Sequence, residues 1–296
     1  SGITVIIVIC ILFAIFITMG NILILAVIWR TPALHHSQSV YKFSIALSDF
    51  LIGAIVFPAS ANSILMLVKT PYMLVSYLSF LGFFTTVGIA VSVYTLTAAG
   101  VDRLIAVYRP LRYRKDRAKM FAKRICVVIW IVTIICGSLP LYVSSLRQQF
   151  VELLYLQCTE HGVQSSFKET IIPTCGVIWC GFNKRLLLPV ISMWVISIAT
   201  FCYARKHKFR DRHLSGNRND KGSLEVRLAR TLVIMVGMFS ISLLPIVTII
   251  CCQMFLPSIH NTSPTEFFGT LVLVCNSLWN FFIYSYRDNR FKKALK

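Results

Sequence analysis

Residues 43–68 read FSIALSDFLIGAIVFPASANSILMLV, a stretch whose one charged residue is Asp49. A helix crossing a bilayer needs about 20 predominantly apolar residues, and this run exceeds that. A carboxylate at such depth is unfavourable and tends to mark a functional site; the alternative is a plain hydrogen bond to a neighbouring helix. Six further runs of the same character lie on either side: Ile3–Trp29, Tyr72–Val107, Phe121–Val143, Leu186–Ala204, Leu232–Leu256 and Phe267–Tyr284. Residues 286–296 then read as a short amphipathic helix, with Phe291 and Leu295 on one face and Arg290, Lys292 and Lys296 placed to reach headgroups. The expectation is an all-α membrane protein, a seven-transmembrane bundle over 1–285 followed by a membrane-surface helix over 286–296. Neither a cleavable signal peptide nor a soluble domain is expected. No internal repeat is visible, which argues against transporter folds built from inverted halves.

Composition agrees. Hydrophobic residues make up 56% of the chain and charged residues 14%, with a mean hydropathy of +0.73, more than a water-soluble surface carries. All but five of the 30 Lys and Arg residues fall after the first, third and fifth runs, at their adjoining helix ends or in the tail. The five on the other side are Lys69, Arg147, Lys168, Lys184 and Arg185. Positive charge stays inside, so the tail is cytoplasmic and Ser1 extracellular, as in a multi-pass plasma-membrane protein. The net charge of +19 thus reports topology and attraction to anionic lipid, with no nucleic acid implied. Lys184 and Arg185 lie either within the fifth helix or at its outer interface.

The ten cysteines include no CxxC pair, which leaves zinc and thioredoxin-type readings little support. Cys10, Cys126, Cys136, Cys202 and Cys275 sit inside spans as small apolar side chains. Cys158, Cys175 and Cys180 fall in or beside the long outer loop, on the oxidising side, where one bridge among the three is expected. Asn261-Thr262-Ser263 is a glycosylation sequon on the same side.

The order of polar and punctuating residues narrows the class. Gly20-Asn21, Asp49, Asp102-Arg103, Trp130, Pro140, Pro189, Phe239, Pro245, and Asn280 with Tyr284 follow one another through the successive runs. In that order and at those depths the chain resembles the rhodopsin-like (class A) G-protein-coupled receptors over essentially its whole length. It is nearest in pattern to the lipid-sensing, melanocortin and adenosine-type branch.

The resemblance implies a receptor, not an enzyme, that binds a heterotrimeric G protein, arrestin and receptor kinases at its inner face. Asp102 and Arg103 would form its inner switch. The Arg103 guanidinium can pair locally or reach Glu225 at the start of the sixth helix. Breaking that clasp would let the sixth helix swing outward about Pro245, whose ring removes a backbone hydrogen bond. Leu111, in Arg109-Pro110-Leu111, would fill an apolar pocket on the G protein. Asn280 and Tyr284, four apart, share a face of the seventh helix and can exchange partners as it shifts. Asp49, Ser92, Asn276, Ser277 and Asn280 match positions that hold a sodium ion in resting family members, an oxygen set suited to a hard cation. No enzymatic cofactor is implied.

Departures set limits. Leu104 and Phe281 stand where the family has Tyr and Pro, and Leu243 and Ser197 replace a Trp and a Tyr of the usual activation relay. With Leu78 in place of a Cys, the family's usual outer bridge is lost, and a bridge within Cys158, Cys175 and Cys180 would resemble the lipid-sensing and melanocortin arrangement. Thr85 stands where amine receptors place an Asp. The other pocket positions are Ile89, Ile246, Val247, Ile250, Thr270 and Leu273. Such a wall suits a lipid or other apolar small molecule, or else is simple helix packing. The smaller Leu243, with the coupling residues retained, implies signalling without agonist. Among rivals, an opsin lacks its lysine, since Val274 takes that position. A hydrolase has no HExxH or GxSxG. A channel or transporter would call for more buried charge than Asp49.

Overall fold

The computed structural model describes residues 2–59, 62, 71–109, 113–142, 190–206, 220–255, 272–273, 275–287 and 289–295. All regular structure among them is helical. In chain order α1 is Gly2–Arg30, α2 is Ser37–Leu51, α3 is Pro71–Tyr108 and α4 is Lys115–Tyr142. Helix α5 covers 190–206, α6 is Asp220–Phe255, α7 is Asn276–Arg287 and α8 is Asn289–Leu295. A single 3₁₀ turn, Pro32–Leu34, joins α1 to α2.

Five of these helices are long and apolar enough to cross a membrane: Ile7–Arg30, Ser37–Ala59, Phe83–Tyr108, Lys115–Ser138 and Leu228–Pro245. The outer bundle face is apolar and exposed, as lipid contact requires. On α4 it includes Val127, Val128, Ile131, Val132 and Ile135, and on α6 Ile241 and Leu244. Inside, Ile24, Tyr41, Ile45, Val93, Leu96, Met193, Val236, Phe239 and Tyr284 form one continuous core. Polar side chains also turn inward and join helices, since lipid offers them no partner. Trp130 of α4 donates from Nε1 to Ser44 Oγ at 3.0 Å, and Ser44 meets Thr95 of α3 at 3.3 Å. Trp194 of α5 donates to Ser240 Oγ of α6 at 2.7 Å.

Two helices begin well ahead of their apolar runs. Helix α4 starts at Lys115 and α6 at Asp220, well before Phe121 and Leu232. Hydropathy marks only the lipid-immersed part of a helix, and a basic first turn continues it into headgroups and water. At the other end of the chain, Tyr286 and Arg287 complete α7, so the surface helix begins at Asn289.

Above Asp49, α2 widens into a π-helical turn over Ile52–Val56, where the Phe57 N–H bonds Ile52 O. Pro58 explains the widening: it has no N–H, and its ring would strike the carbonyl four residues back in a regular helix. Gly53 in this turn lets α1 approach closely, because a Cβ there would lie 2.9 Å from the Thr18 backbone nitrogen. Helix α7, by contrast, runs unbroken through Phe281. That is the consequence of a residue with an amide hydrogen where the resembling family has proline.

Candidate functional site

At mid-membrane, α2, α3 and α7 bring their polar residues together. Asp49 is 1% exposed. Ser277 Oγ donates to its Oδ1 at 2.8 Å and Asn280 Nδ2 to its Oδ2 at 2.7 Å. Ser92 Oγ is 2.9 Å from the Oγ of Ser48, the residue before Asp49 on α2. Asn276 opens α7 and is half-buried. Asn21 of α1 closes the cluster, donating to Ile17 O at 2.9 Å and to Ser277 O at 3.3 Å. Its Oδ1 is buried without a hydrogen-bond partner.

The cluster fits a small hard cation. It offers one carboxylate, two hydroxyls whose hydrogens can rotate away, amide oxygens and the orphaned Asn21 oxygen. A sodium ion held by Asp49, Ser92, Asn276, Ser277 and Asn280 would supply a positive charge between α2 and α7, and nothing else.

At the inner end of α3, Asp102 is the acceptor of a dense hub. Gln38 Nε2 donates to its Oδ2 at 2.8 Å, Ser37 Oγ at 3.1 Å and Arg103 at 3.3 Å. The Tyr113 hydroxyl lies 3.1 Å from both carboxylate oxygens. Arg103 also donates to Tyr113 Oη at 3.2 Å and to Ser37 Oγ at 3.5 Å. The local pairing open to Arg103 is therefore made. Burial, more than any neighbouring charge, pushes the Tyr113 phenol above its ordinary value, so it keeps its proton as a donor. Tyr113, Ser37 and Gln38 carry no sequence signal of this role: each is a polar residue in or beside a loop, where polar residues are the norm.

Beside the hub, the inner ends of three helices are closed on one another. Val107 of α3, Ala204 of α5, and Val226 and Ala229 of α6 form one small buried cluster against Phe201. The rings of Tyr108 and Tyr203 meet edge-on, centroids 5.6 Å apart. Glu225 lies in α6, and its side chain is outside the described residues, as is Leu111. Of the altered relay positions, Leu243 packs half-buried against the core, and Ser197 is 1% exposed with a partnerless hydroxyl.

Four of the expected ligand-wall positions have described side chains. Thr85 and Ile89 on α3, Val247 on α6 and Leu273 before α7 are half-buried. Ile246 and Ile250 lie in α6, but their side chains are outside the described residues, as are Thr270, Lys184, Arg185 and Asn261. So are Cys158, Cys175 and Cys180. Among the described residues, Cys126, Cys136, Cys202 and Cys275 are free thiols, and Cys10 is buried in α1.

Similarity to known proteins agrees with this geometry. The family described as "7 transmembrane receptor (rhodopsin family)" matches residues 20–284. The adenosine receptor A2a of Canis lupus familiaris is 26% identical over 289 residues, 96% of this chain and 69% of the relative. The adenosine receptor A2b of Bos taurus is 25% identical over 284 residues, 92% and 82% of the two chains. The adenosine receptor A2b of Homo sapiens is 25% identical over 285 residues, 92% and 83%. With the match covering most of its length, and with Asp49 joined to Asn280 and Asp102 to Arg103 as described, the chain belongs to the rhodopsin family of seven-transmembrane receptors.

Proposed function

We propose that this receptor sits in the plasma membrane, N-terminus outside, and activates a heterotrimeric G protein by outward movement of α6. The observation that carries the reading is the hub on Asp102, which holds Arg103 at the inner face beside the closed ends of α3, α5 and α6. The cluster holding α6 shut is built from one Phe and four small side chains with little apolar area, so opening costs little burial. Pro245 inside α6 supplies the hinge. Leu111, Glu225 and Tyr284 complete the coupling surface and its restraints. Arrestin and receptor kinases would read the same open state, and anionic lipid would surround the basic inner rim.

For the ligand, Thr85, Ile89, Ile246, Val247, Ile250, Thr270 and Leu273 favour an apolar or lipid molecule. The relatives' names favour adenosine, a polar nucleoside that needs several paired hydrogen bonds when buried. A wall with two hydroxyls offers few. The test is second-messenger output of the expressed receptor across a G-protein panel, with adenosine and a lipid library as ligands. Coupling with a lipid-class agonist supports the whole reading, whereas an adenosine response would overturn its ligand half. Membrane current with no second messenger would support a channel instead.

A further inference from the structure

Lys42 is a lysine inside the α2 span, about one and a half turns from its inner end. At that depth a lysine ordinarily carries its ammonium out to the headgroups along an apolar stem. Here the Lys42 ammonium lies 4.9 Å from the centroid of the Tyr284 ring, within the roughly 6 Å reach of a cation–π contact. Tyr284 is 0% exposed, and its ring packs 6.5 Å from that of Phe291 on α8, which is also buried. One cation therefore ties α2 to the inner end of α7, and through it to α8.

The contact is in register with the polar cluster. Asp49 and Lys42 are seven residues apart on α2, about two turns, and Ser277 and Tyr284 are the same distance apart on α7. These helices run antiparallel, so Asp49 bonds Ser277 and Asn280 at mid-membrane while Lys42 covers Tyr284 two turns further in. The two fastenings differ in kind. The upper one is set by hydrogen bonds that a sodium ion can rearrange. The lower one is a half-buried cation on a ring face, lost as soon as Tyr284 turns or shifts.

We propose that Lys42 is a positioning residue of the switch, acting through Tyr284 to hold the inner end of α7 on α2 and so to set what fraction of unliganded receptors couples. The proposal rests on the coupling function above. A cation–π contact of ordinary strength converts to a change of about two- to tenfold in a two-state population.

The test uses the full receptor at matched surface expression. Lys42→Met keeps the stem and removes the charge, and should raise basal G-protein activation about two- to tenfold. Lys42→Arg restores a cation over the ring and should bring it back to within about twofold of wild type. A second readout does not depend on signalling: thermal midpoints of purified Lys42→Met, Tyr284→Leu and the double variant. Their effects should be non-additive, the double variant losing less than the sum of the two. Basal output of Lys42→Met equal to wild type, equal behaviour of Met and Arg variants, or additive midpoints would overturn the proposal. A wild type that activates no G protein would count against the coupling function itself, and the melting cycle alone would then decide whether Lys42 acts through Tyr284.

Discussion

The hydroxyl of Tyr113 sits 3.1 Å from each carboxylate oxygen of Asp102, joining the segment before α4 to the inner end of α3. It also receives the Arg103 guanidinium at 3.2 Å. A neutral phenol here does two jobs: it meets part of the Asp102 acceptor demand and accepts from one arm of the Arg103 guanidinium.

Tyr113→Phe should therefore loosen Arg103 in the resting state. A hydrogen bond to a charged partner is worth about 1.5–3 kcal/mol when buried, and less at this partly exposed position. Basal second-messenger output should rise severalfold, with surface expression close to wild type. Unchanged output would mean that Ser37 and Gln38 hold Asp102 and Arg103 without it.

The polar cluster predicts a sodium response. Sodium should favour the inactive state, because it would add charge between α2 and α7 where Asp49 already binds Ser277 and Asn280. Asp49→Asn removes the carboxylate and should abolish that dependence. The measurement is signalling in sodium against a large organic cation of equal ionic strength. Indifference of the wild type would remove the site.

Much of this architecture is legible in the sequence, for a physical reason. Asp49, Ser277 and Asn280 are isolated polar groups in apolar runs, so each stands out, and in lipid each must find a partner. The structure joins them directly. Asp102 and Arg103 stand out in the same way at a helix end. Tyr113, Ser37 and Gln38 do not, since their role depends on which loop residue folds back on Asp102. Nor does the contact of Lys42 with Tyr284, because a lysine near a span end reads as topology. The π-turn over Ile52–Val56 is hidden as well: Pro58 marks a distortion without saying which one.

The outer loop carries a covalent prediction from sequence alone. With Leu78 unable to anchor the usual bridge, non-reducing mass spectrometry should find one disulfide within Cys158, Cys175 and Cys180. Three free thiols there in surface-expressed protein would contradict it.

Whether α6 opens in the unliganded receptor is read by its second-messenger output, at matched surface expression and across all G-protein classes. Leu243, smaller than the Trp usual in the family, should lower the packing barrier to rotating α6 about Pro245. A clasp of Glu225 on Arg103 at a wet interface would be worth only about 1 kcal/mol, while each tenfold step in population takes about 1.4 kcal/mol. Basal output should exceed that of mock-transfected cells, rise further in Glu225→Ala and fall in Arg103→Ala. Output equal to mock in every class, or an Arg103→Ala variant that signals as the wild type does, would contradict it.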